Sequence, residues 1–198
     1  MTKHKAVFKM PAVTKISART STMTNAFVHA IIPVIYPTDE DIEEVLQILG
    51  MTENTVCCAY CGAPHTEWDH FFNLVQDKEP TGFISEIWNL VPSCSKCNSS
   101  KGSQYWEAWM RSDAKLSPKS RGIKDLEERI RRLKSYEALT KTRRTKLNFA
   151  EIAGDLWKKH KENEKQIIEL MKKSQKYAEN IKKIIDAAQK KSANETHP

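Results

Sequence analysis

The spacing of apolar residues predicts helices over most of the chain. In the helix predicted after Pro37, the apolar positions recur three and four residues apart: Ile42, Val45, Leu46 and Leu49. Thr38 can cap the first turn of this helix, with Asp41 returning the hydrogen bond, and Gly50 can end it. The apolar run before this helix is interrupted by Pro33, which argues against a single long helix. We expect that run to pack on the core.

Two further helices are predicted between residues 97 and 139. An amphipathic helix is expected over 118–139, with Ser117 as its N-cap and Pro118 in its first turn. Its apolar positions again follow helical spacing: Ile123, Leu126, Ile130 and Leu133. The aromatic stretch 104–110 is expected to continue a helix that begins near Cys97, with its rings mostly in the core.

From Asn148 the chain is predicted to be helical almost to its end. A heptad pattern runs through this segment, with two sets of seam positions. The first set is Leu156, Asn163, Leu170, Tyr177 and Ile184, and the second is His160, Ile167, Ser174, Ile181 and Ala188. The pattern fits a helical hairpin partner, a dimer interface or one long arm, and the sequence leaves these three open.

The charge of the chain narrows the class of partner. The 198 residues carry a formal net charge of +7, and the pI is about 9.1. This balance is typical of proteins that bind nucleic acid, and equally of soluble proteins with a lysine-rich surface. Residues 1–24 are basic and rich in serine and threonine, so we expect a loosely ordered arm, with a DNA-contacting arm as the alternative.

The sequence predicts a cytoplasmic protein without a membrane partner. Residues 1–13 lack the apolar stretch of a signal peptide, and no apolar run is long enough to cross a membrane. In a reducing cytosol, paired cysteines are more typical of a metal site than of disulfides.

Four of the five cysteines form two Cys-x-x-Cys pairs, Cys58 with Cys61 and Cys94 with Cys97. Two intervening residues allow both sulfurs of a pair to reach one tetrahedral Zn²⁺ at about 2.3 Å. Four cysteines close the coordination shell, so the spacing predicts a structural zinc site. Cys57 can in principle replace Cys58, but the closer spacing favours Cys58, and Cys57 is then expected to face the core from a strand.

Polar residues with chemistry of their own lie between and beside the cysteine pairs. Asp69 offers a hard oxygen ligand for an ion such as Mg²⁺, and His70, neutral near pH 7, can take a proton from water. Adjacent side chains of a strand point to opposite faces, so both reach one phosphate only if the strand is distorted. Asn89 precedes the second pair and Asn98 follows it, where each alone is expected to serve in a turn or a helix cap. Together with the Asp-His dipeptide they favour a functional site.

The order Cys-x-x-Cys, Asp-His, Asn-Leu, Cys-x-x-Cys-Asn and then lysine, over 58–101, resembles the HNH endonucleases. These are the zinc-containing branch of the ββα-metal (His-Me finger) nucleases. The resemblance implies that His70 is a general base oriented by Asn89. It also implies that Asp69 and Asn98 hold a catalytic divalent ion, Mg²⁺ or Mn²⁺.

The wider segment 67–102, followed by Trp-Glu-Ala-Trp, resembles stand-alone bacterial HNH nucleases of the restriction type. This implies a site-specific type II restriction endonuclease that hydrolyses phosphodiester bonds of double-stranded DNA and leaves a 5′-phosphate. Because a duplex needs two cuts, a homodimer is expected. Lys96 and Lys101 are expected to add contacts to phosphates. Some relatives carry proline shortly after the Asp-His dipeptide, where this chain has Phe-Phe-Asn, which leaves the geometry of that loop open.

The predicted fold class is α+β and mostly helical, around a small ββα-metal nuclease core held by zinc. The predicted domains are an N-terminal arm and helix over 1–54, the nuclease core over 55–112, and a helical region for DNA contact or dimerisation over 113–198. The alternatives for function are a homing, nicking or non-specific HNH nuclease, and a non-catalytic zinc module that binds nucleic acid. A helical interaction protein is a further alternative, which leaves Asp69 and His70 unexplained.

Overall fold

The computed structural model describes residues 10–195 and confirms an α+β chain that is mostly helical. The chain forms two compact units, one of residues 28–154 and one in which residues 10–27 lie with residues 155–195. Both predicted domain boundaries, after residue 54 and after residue 112, fall inside the first unit. The cysteine pairs, the Asp-His dipeptide and both asparagines belong to that unit.

The first unit combines short strands with helices. Helix α1 (Thr20–His29) ends in this unit, which continues with α2 (Asp39–Ile48), β1 (Glu67–His70), β2 (Val75–Gln76), β3 (Glu79–Pro80), a 3-10 turn (Ile87–Asn89), β4 (Leu90–Ser93), α3 (Ser95–Lys101), α4 (Trp106–Met110), α5 (Leu126–Thr140) and α6 (Phe149–Ala153). The capping box predicted for α2 is present, because Thr38 and Asp41 exchange hydrogen bonds between side chain and backbone. Gly50 follows that helix with a φ of 69°, as expected for its end.

Strands β1 and β4 pair antiparallel, and β4 leads directly into α3, so the chain forms a β-β-α arrangement. The register places Asp69 opposite Val91 and His70 opposite Leu90. Strands β2 and β3 form a separate small hairpin in the connection between the paired strands. The Asp-His dipeptide therefore lies on a strand whose partner runs into the second cysteine pair.

Aromatic side chains fill the core of this unit. Trp106 and Trp109 are fully buried, as predicted, whereas Tyr105 is 50 % exposed. The hydroxyl of Tyr136 on α5 donates to the carbonyl oxygen of Ile87 at 2.9 Å. This bond fixes α5 to the turn that precedes β4.

The helix predicted over 118–139 begins later than expected. It begins at Leu126, because the predicted cap, Ser117, is used in a turn. The Ser117 hydroxyl donates to the carbonyl oxygen of Ser112 at 2.6 Å and accepts a hydrogen bond from the backbone of Ser120 at 3.2 Å. A serine before a proline fits a turn as well as a helix start, and here the turn is formed.

Two other predictions about the path of the chain are wrong. The continuous helix expected from Cys97 to residue 110 is two helices, because Gly102 adopts a φ of 50° and ends α3. The apolar run over 25–36 does not pack wholly on the core, since Ile35 and Tyr36 are exposed. Its backbone instead joins the connection after β3, where Ile35 N donates to the carbonyl oxygen of Ser85 at 2.9 Å.

The second unit consists of a 3-10 helix (Ile16–Arg19), α1 up to Phe27, and the 41-residue helix α7 (Asp155–Glu195). Ile16 N donates to the side chain of Gln175 at 2.8 Å, and Nε2 of His160 lies 2.9 Å from the carbonyl oxygen of Phe27. The arm predicted over 1–24 is therefore helical from Ile16 onward. Residues 1–9 of that arm lie outside the described part of the chain.

The two predicted heptad sets of α7 differ in exposure. In one set the members up to residue 174 are half-buried: His160, Ile167 and Ser174. In the other set the apolar members are all exposed: Leu156, Leu170, Tyr177 and Ile184. Packing within the second unit thus partly covers the set of His160 up to Ser174, and leaves Ile181 of that set exposed together with the apolar members of the other.

Candidate functional site

The four predicted cysteines meet in one buried cluster. The sulfur atoms of Cys58, Cys61, Cys94 and Cys97 all lie within 4.8 Å of one another, and those of Cys61 and Cys94 are 3.8 Å apart. A tetrahedral ion with bonds of about 2.3 Å separates its sulfur ligands by about 3.8 Å. The cluster therefore fits a metal such as zinc. Cys57 is half-buried outside it and lies in no strand.

Local backbone turns bring each pair of sulfurs together. In the first turn, Gly62 N donates to the carbonyl oxygen of Cys58 at 2.8 Å, and Gly62 adopts a φ of 76° that a side chain would oppose. In the second, Asn98 N donates to the carbonyl oxygen of Cys94 at 3.0 Å as α3 begins. Each Cys-x-x-Cys pair is thus shaped by its own hydrogen bonds.

A cationic side chain lies against the cluster. Arg121 Nη1 donates to the sulfur of Cys97 at 3.2 Å. Hydrogen bonds from the thiols of Cys58 and Cys97 hold the pKa of Cys61 below its usual value, and the Arg121 guanidinium contributes in the same direction. A thiolate, the form that binds a metal, is thus favoured at Cys61, whereas hydrogen bonds with the other thiols and burial raise the pKa of Cys58 and of Cys97.

Asp69 is buried, with only 5 % of its surface exposed. Its Oδ2 accepts a hydrogen bond from the Tyr60 hydroxyl at 2.7 Å and lies 3.2 Å from the Lys101 ammonium. Burial raises the pKa of the Asp69 carboxyl, and the charge of Lys101 acts in the opposite direction. One carboxylate oxygen, Oδ2, is thus held inside the protein, and the role of Asp69 as a ligand of Mg²⁺ or Mn²⁺ stays a prediction for its other oxygen.

Lys101 is predicted to contact nucleic acid, but the structure places it in the interior, 1 % exposed. Besides Asp69, its ammonium contacts the carbonyl oxygens of His70 (3.1 Å) and Gly102 (3.3 Å) and Oδ1 of Asn73 (3.3 Å). We therefore correct this prediction. The buried ammonium joins α3 to the end of β1 and presents no charge at the surface.

His70 is half-buried at the end of β1, with Nε2 2.9 Å from Oγ of Ser85. Burial lowers the pKa of His70 to about 4, and the charges of His29 and Lys101 act in the same direction. In the tautomer in which Nε2 donates to Ser85, Nδ1 keeps a free lone pair. The imidazole is therefore neutral at pH 7 and able to accept a proton.

An NMR titration tests this charge state. We expect the imidazole ¹⁵N shifts of His70 to stay those of a neutral ring from about pH 7.5 down to about pH 5.5, because the pKa is about 4. The His70→Gln variant assigns the signal by its loss, and metal content is measured at each pH. A midpoint near the ordinary value of about 6.5, with the metal retained, contradicts a buried neutral imidazole.

Asn89 holds the loop that follows His70. Its fully buried side chain accepts a hydrogen bond from Phe72 N at 2.9 Å and donates to the carbonyl oxygens of Phe72 (3.0 Å) and Ile84 (3.3 Å). Its own carbonyl oxygen accepts a hydrogen bond from Phe71 N at 2.8 Å. Asn89 therefore contacts backbone and not the imidazole, and it fixes the end of the strand that carries His70.

Asn98 and Lys96 lie on α3, whose N-cap is Cys94. Asn98 is inside the helix and does not cap it, and its role as a ligand of the catalytic ion stays a prediction. Its half-buried side chain makes no hydrogen bond to a residue between 10 and 195. Asn98 lies three residues before Lys101, so the two side chains share a face of α3, and Lys101 reaches β1 from that face. Lys96 is exposed, and its predicted phosphate contact stays a prediction.

Sequence reasoning missed Tyr60 and Ser85, which contact Asp69 and His70. Tyr60 lies 9 residues before its partner, and Ser85 lies 15 residues after its own. No spacing rule predicts these contacts, because they depend on how two loops fold back onto β1. The one available signal is the tyrosine between the two ligands of the first cysteine pair.

Comparisons of the chain with protein-family models, with curated proteins and with solved structures found no match. Within residues 10–195, no helix is both long and apolar enough to cross a membrane. The functional interpretation therefore depends on the geometry of the site and on the motif that it carries.

Proposed function

We propose that the chain is a DNA endonuclease of the HNH type, with His70 as the general base. The observation that carries this proposal is the position of the His70 imidazole, half-buried at the end of β1, with Nε2 at Ser85 and no hydrogen bond from Nδ1 to a residue between 10 and 195. In the proposed reaction Nδ1 takes a proton from the water that attacks phosphorus in line. The bond to the 3′ oxygen then breaks and this oxygen takes a proton from solvent, which leaves a 5′-phosphate and a 3′-hydroxyl.

Three features hold that imidazole in place, as a general base requires. Asn89 binds the backbone directly after the strand, and Lys101 binds the carbonyl oxygen of His70 itself. The cysteine cluster stabilises the start of α3, from which Lys101 extends, and we propose that its metal is a structural zinc.

A divalent ion, Mg²⁺ or Mn²⁺, belongs to the proposal as the source of charge stabilisation at the phosphate. Asn98 offers a side-chain oxygen without a partner among the described residues. Tyr60 and Lys101 hold Oδ2 of Asp69, so a bond from Asp69 to the ion would come from Oδ1. No step of the reaction is assigned to the ion.

The proposed substrate is double-stranded DNA cut at a specific short site, as a type II restriction endonuclease does. The alternatives are homing, nicking and non-specific HNH nucleases. They use the same chemistry as a restriction endonuclease and differ from it in which positions of the DNA they cut. Two cuts per duplex favour a homodimer. The exposed apolar positions of α7 offer surface for a second copy.

A plasmid assay tests the proposal. We expect the purified protein with Mg²⁺ or Mn²⁺ to convert supercoiled plasmid into cut products with 5′-phosphates. Discrete ends at one motif indicate restriction, and nicked circles as the end product indicate a nicking enzyme. The matched control is the same protein in Ca²⁺, which is expected to bind without cutting. No cleavage in either active ion, with zinc bound, overturns the nuclease proposal.

A non-catalytic zinc module that binds nucleic acid is the second candidate. It is favoured by Asp69, whose contacts with Tyr60 and Lys101 give this residue a structural role. In the plasmid assay this candidate predicts DNA binding without cleavage under every ion.

A further inference from the structure

The basic segment 141–146 is fixed against the connection between β3 and β4. The backbone and hydroxyl of Thr145 donate to the buried carboxylate of Glu86 at 2.5 and 3.0 Å. Leu147 N donates to the carbonyl oxygen of Gly82 at 2.8 Å, where a φ of 92° and a close approach leave no room for a side chain. The segment is therefore held in one conformation and is not a loose connector.

Arg144 lies on the loop that follows His70. Its guanidinium carbon is 3.9 Å from the ring centroid of Phe72. The side chain of Asn89 is hydrogen-bonded to the backbone of that phenylalanine. Arg144 Nη1 is buried and has no hydrogen-bond partner among residues 10–195. Guanidinium N–H groups in protein interiors normally have an acceptor, so the half-buried Arg144 keeps hydrogen-bonding capacity that no described residue uses.

The neighbouring Arg143, unlike Arg144, has a carboxylate partner among the described residues. Arg143 donates to Glu44 at 2.6 Å and lies over the ring of Trp88, 4.5 Å from its centroid. Its charge is thus already neutralised within the protein. Arg144, by contrast, makes no ion pair with a described residue.

Arg144 lines an open depression of about 470 Å³. The other lining residues are Phe72, Tyr105, Glu107, Lys134, Glu137, Ala138 and Lys141. Tyr105 is half exposed, so one part of the depression offers an aromatic ring. The depression thus combines an aromatic surface with charges of both signs.

Both carboxylates of the depression already have protein partners. Glu107 pairs with Lys134 at 2.9 Å, and Glu137 accepts hydrogen bonds from Tyr105 (3.1 Å) and Trp106 (3.2 Å). Lys141 is exposed and, like Arg144, makes no ion pair with a described residue. With Lys134 paired to Glu107, the charges of Lys141 and Arg144 exceed that of the one remaining carboxylate, Glu137, and the depression is left with a net positive charge.

We propose that this depression binds a phosphate of the DNA backbone between Lys141 and Arg144. The proposal rests on the proposed nuclease function, because it names a contact that holds the substrate. Lysine and arginine neutralise the phosphates of the DNA backbone without reading the base sequence. DNA bound in this depression contacts the loop that follows β1, the strand that carries His70.

Fluorescence anisotropy with a labelled DNA duplex in Ca²⁺, over a series of salt concentrations, tests the site. We expect Lys141→Gln to weaken binding by about tenfold at about 0.1 M salt and to lower the slope of log affinity against log salt by about 1. The double variant Lys141→Gln/Arg144→Gln is expected to lose more on both measures. Lys115→Gln is the matched control, since it removes an exposed lysine outside the depression and is expected to bind as the wild type does.

Equal affinity and equal salt slope for the wild type and Lys141→Gln overturn this site. The nuclease proposal then still stands if the wild type cuts plasmid, so the two failures are distinguishable. Arg144 packs on Phe72, so the unfolding midpoint and zinc content of the double variant are measured as well. Lys141 is exposed, and its single variant tests the site even if the double variant is unstable.

Discussion

The Cys97→Ala variant is expected to lose the folded state of residues 28–154 and to purify without bound metal. Cys97 is fully buried, and its sulfur lies in the four-cysteine cluster beside Arg121. A structural zinc contributes about 10–16 kcal/mol of apparent binding free energy in small zinc-binding peptides. Domains are stable by only about 5–15 kcal/mol, so the loss of one of four ligands is enough to unfold this unit.

Metal content by mass spectrometry and thermal unfolding by near-UV circular dichroism check this expectation. The dichroism follows the buried rings of Trp106 and Trp109. Cys57→Ala is the matched control, because Cys57 precedes the cluster without belonging to it. That variant is expected to keep one zinc per chain and nearly the wild-type midpoint. A Cys97→Ala protein with the same metal content and midpoint contradicts the cluster as a structural zinc site.

The cysteine cluster is predictable because its determinants are local and chemical. A Cys-x-x-Cys turn is shaped by hydrogen bonds within a few residues, such as that from Gly62 N to the carbonyl oxygen of Cys58. Joining two such pairs needs only the knowledge that one ion takes four sulfur ligands. The start of α2 is predictable for a similar reason, since Thr38 and Asp41 cap each other within one turn.

Asp69 and Lys101 show where sequence reasoning fails. A lysine after the last cysteine of a basic chain is expected at the surface, yet Lys101 is buried. Its partners come from about 30 residues earlier in the chain, and only the packing of α3 on β1 brings them together. The burial of Asp69 has the same origin, because Tyr60 and Lys101 reach its Oδ2 only in the folded chain.

Replacing His70 with alanine is expected to abolish detectable cleavage while DNA binding persists. General-base catalysis typically contributes about 10²–10⁴-fold to a rate, and the neutral imidazole of His70 is the proposed proton acceptor. The side chain contacts Ser85 and belongs neither to the cysteine cluster nor to the depression beside Arg144. Zinc content and affinity for DNA should therefore be those of the wild type.

Single-turnover cleavage of a labelled duplex, at fixed Mg²⁺ or Mn²⁺, measures the effect separately from binding. His65→Ala is the matched control, since it removes another half-buried histidine just before β1 and should cut at nearly the wild-type rate. Added imidazole should restore part of the rate to His70→Ala, because a small base can replace the missing proton acceptor but not a lost fold. Near-wild-type cleavage by His70→Ala would remove this residue from the chemistry. Binding without cleavage by both the wild type and the variant would instead favour the zinc module.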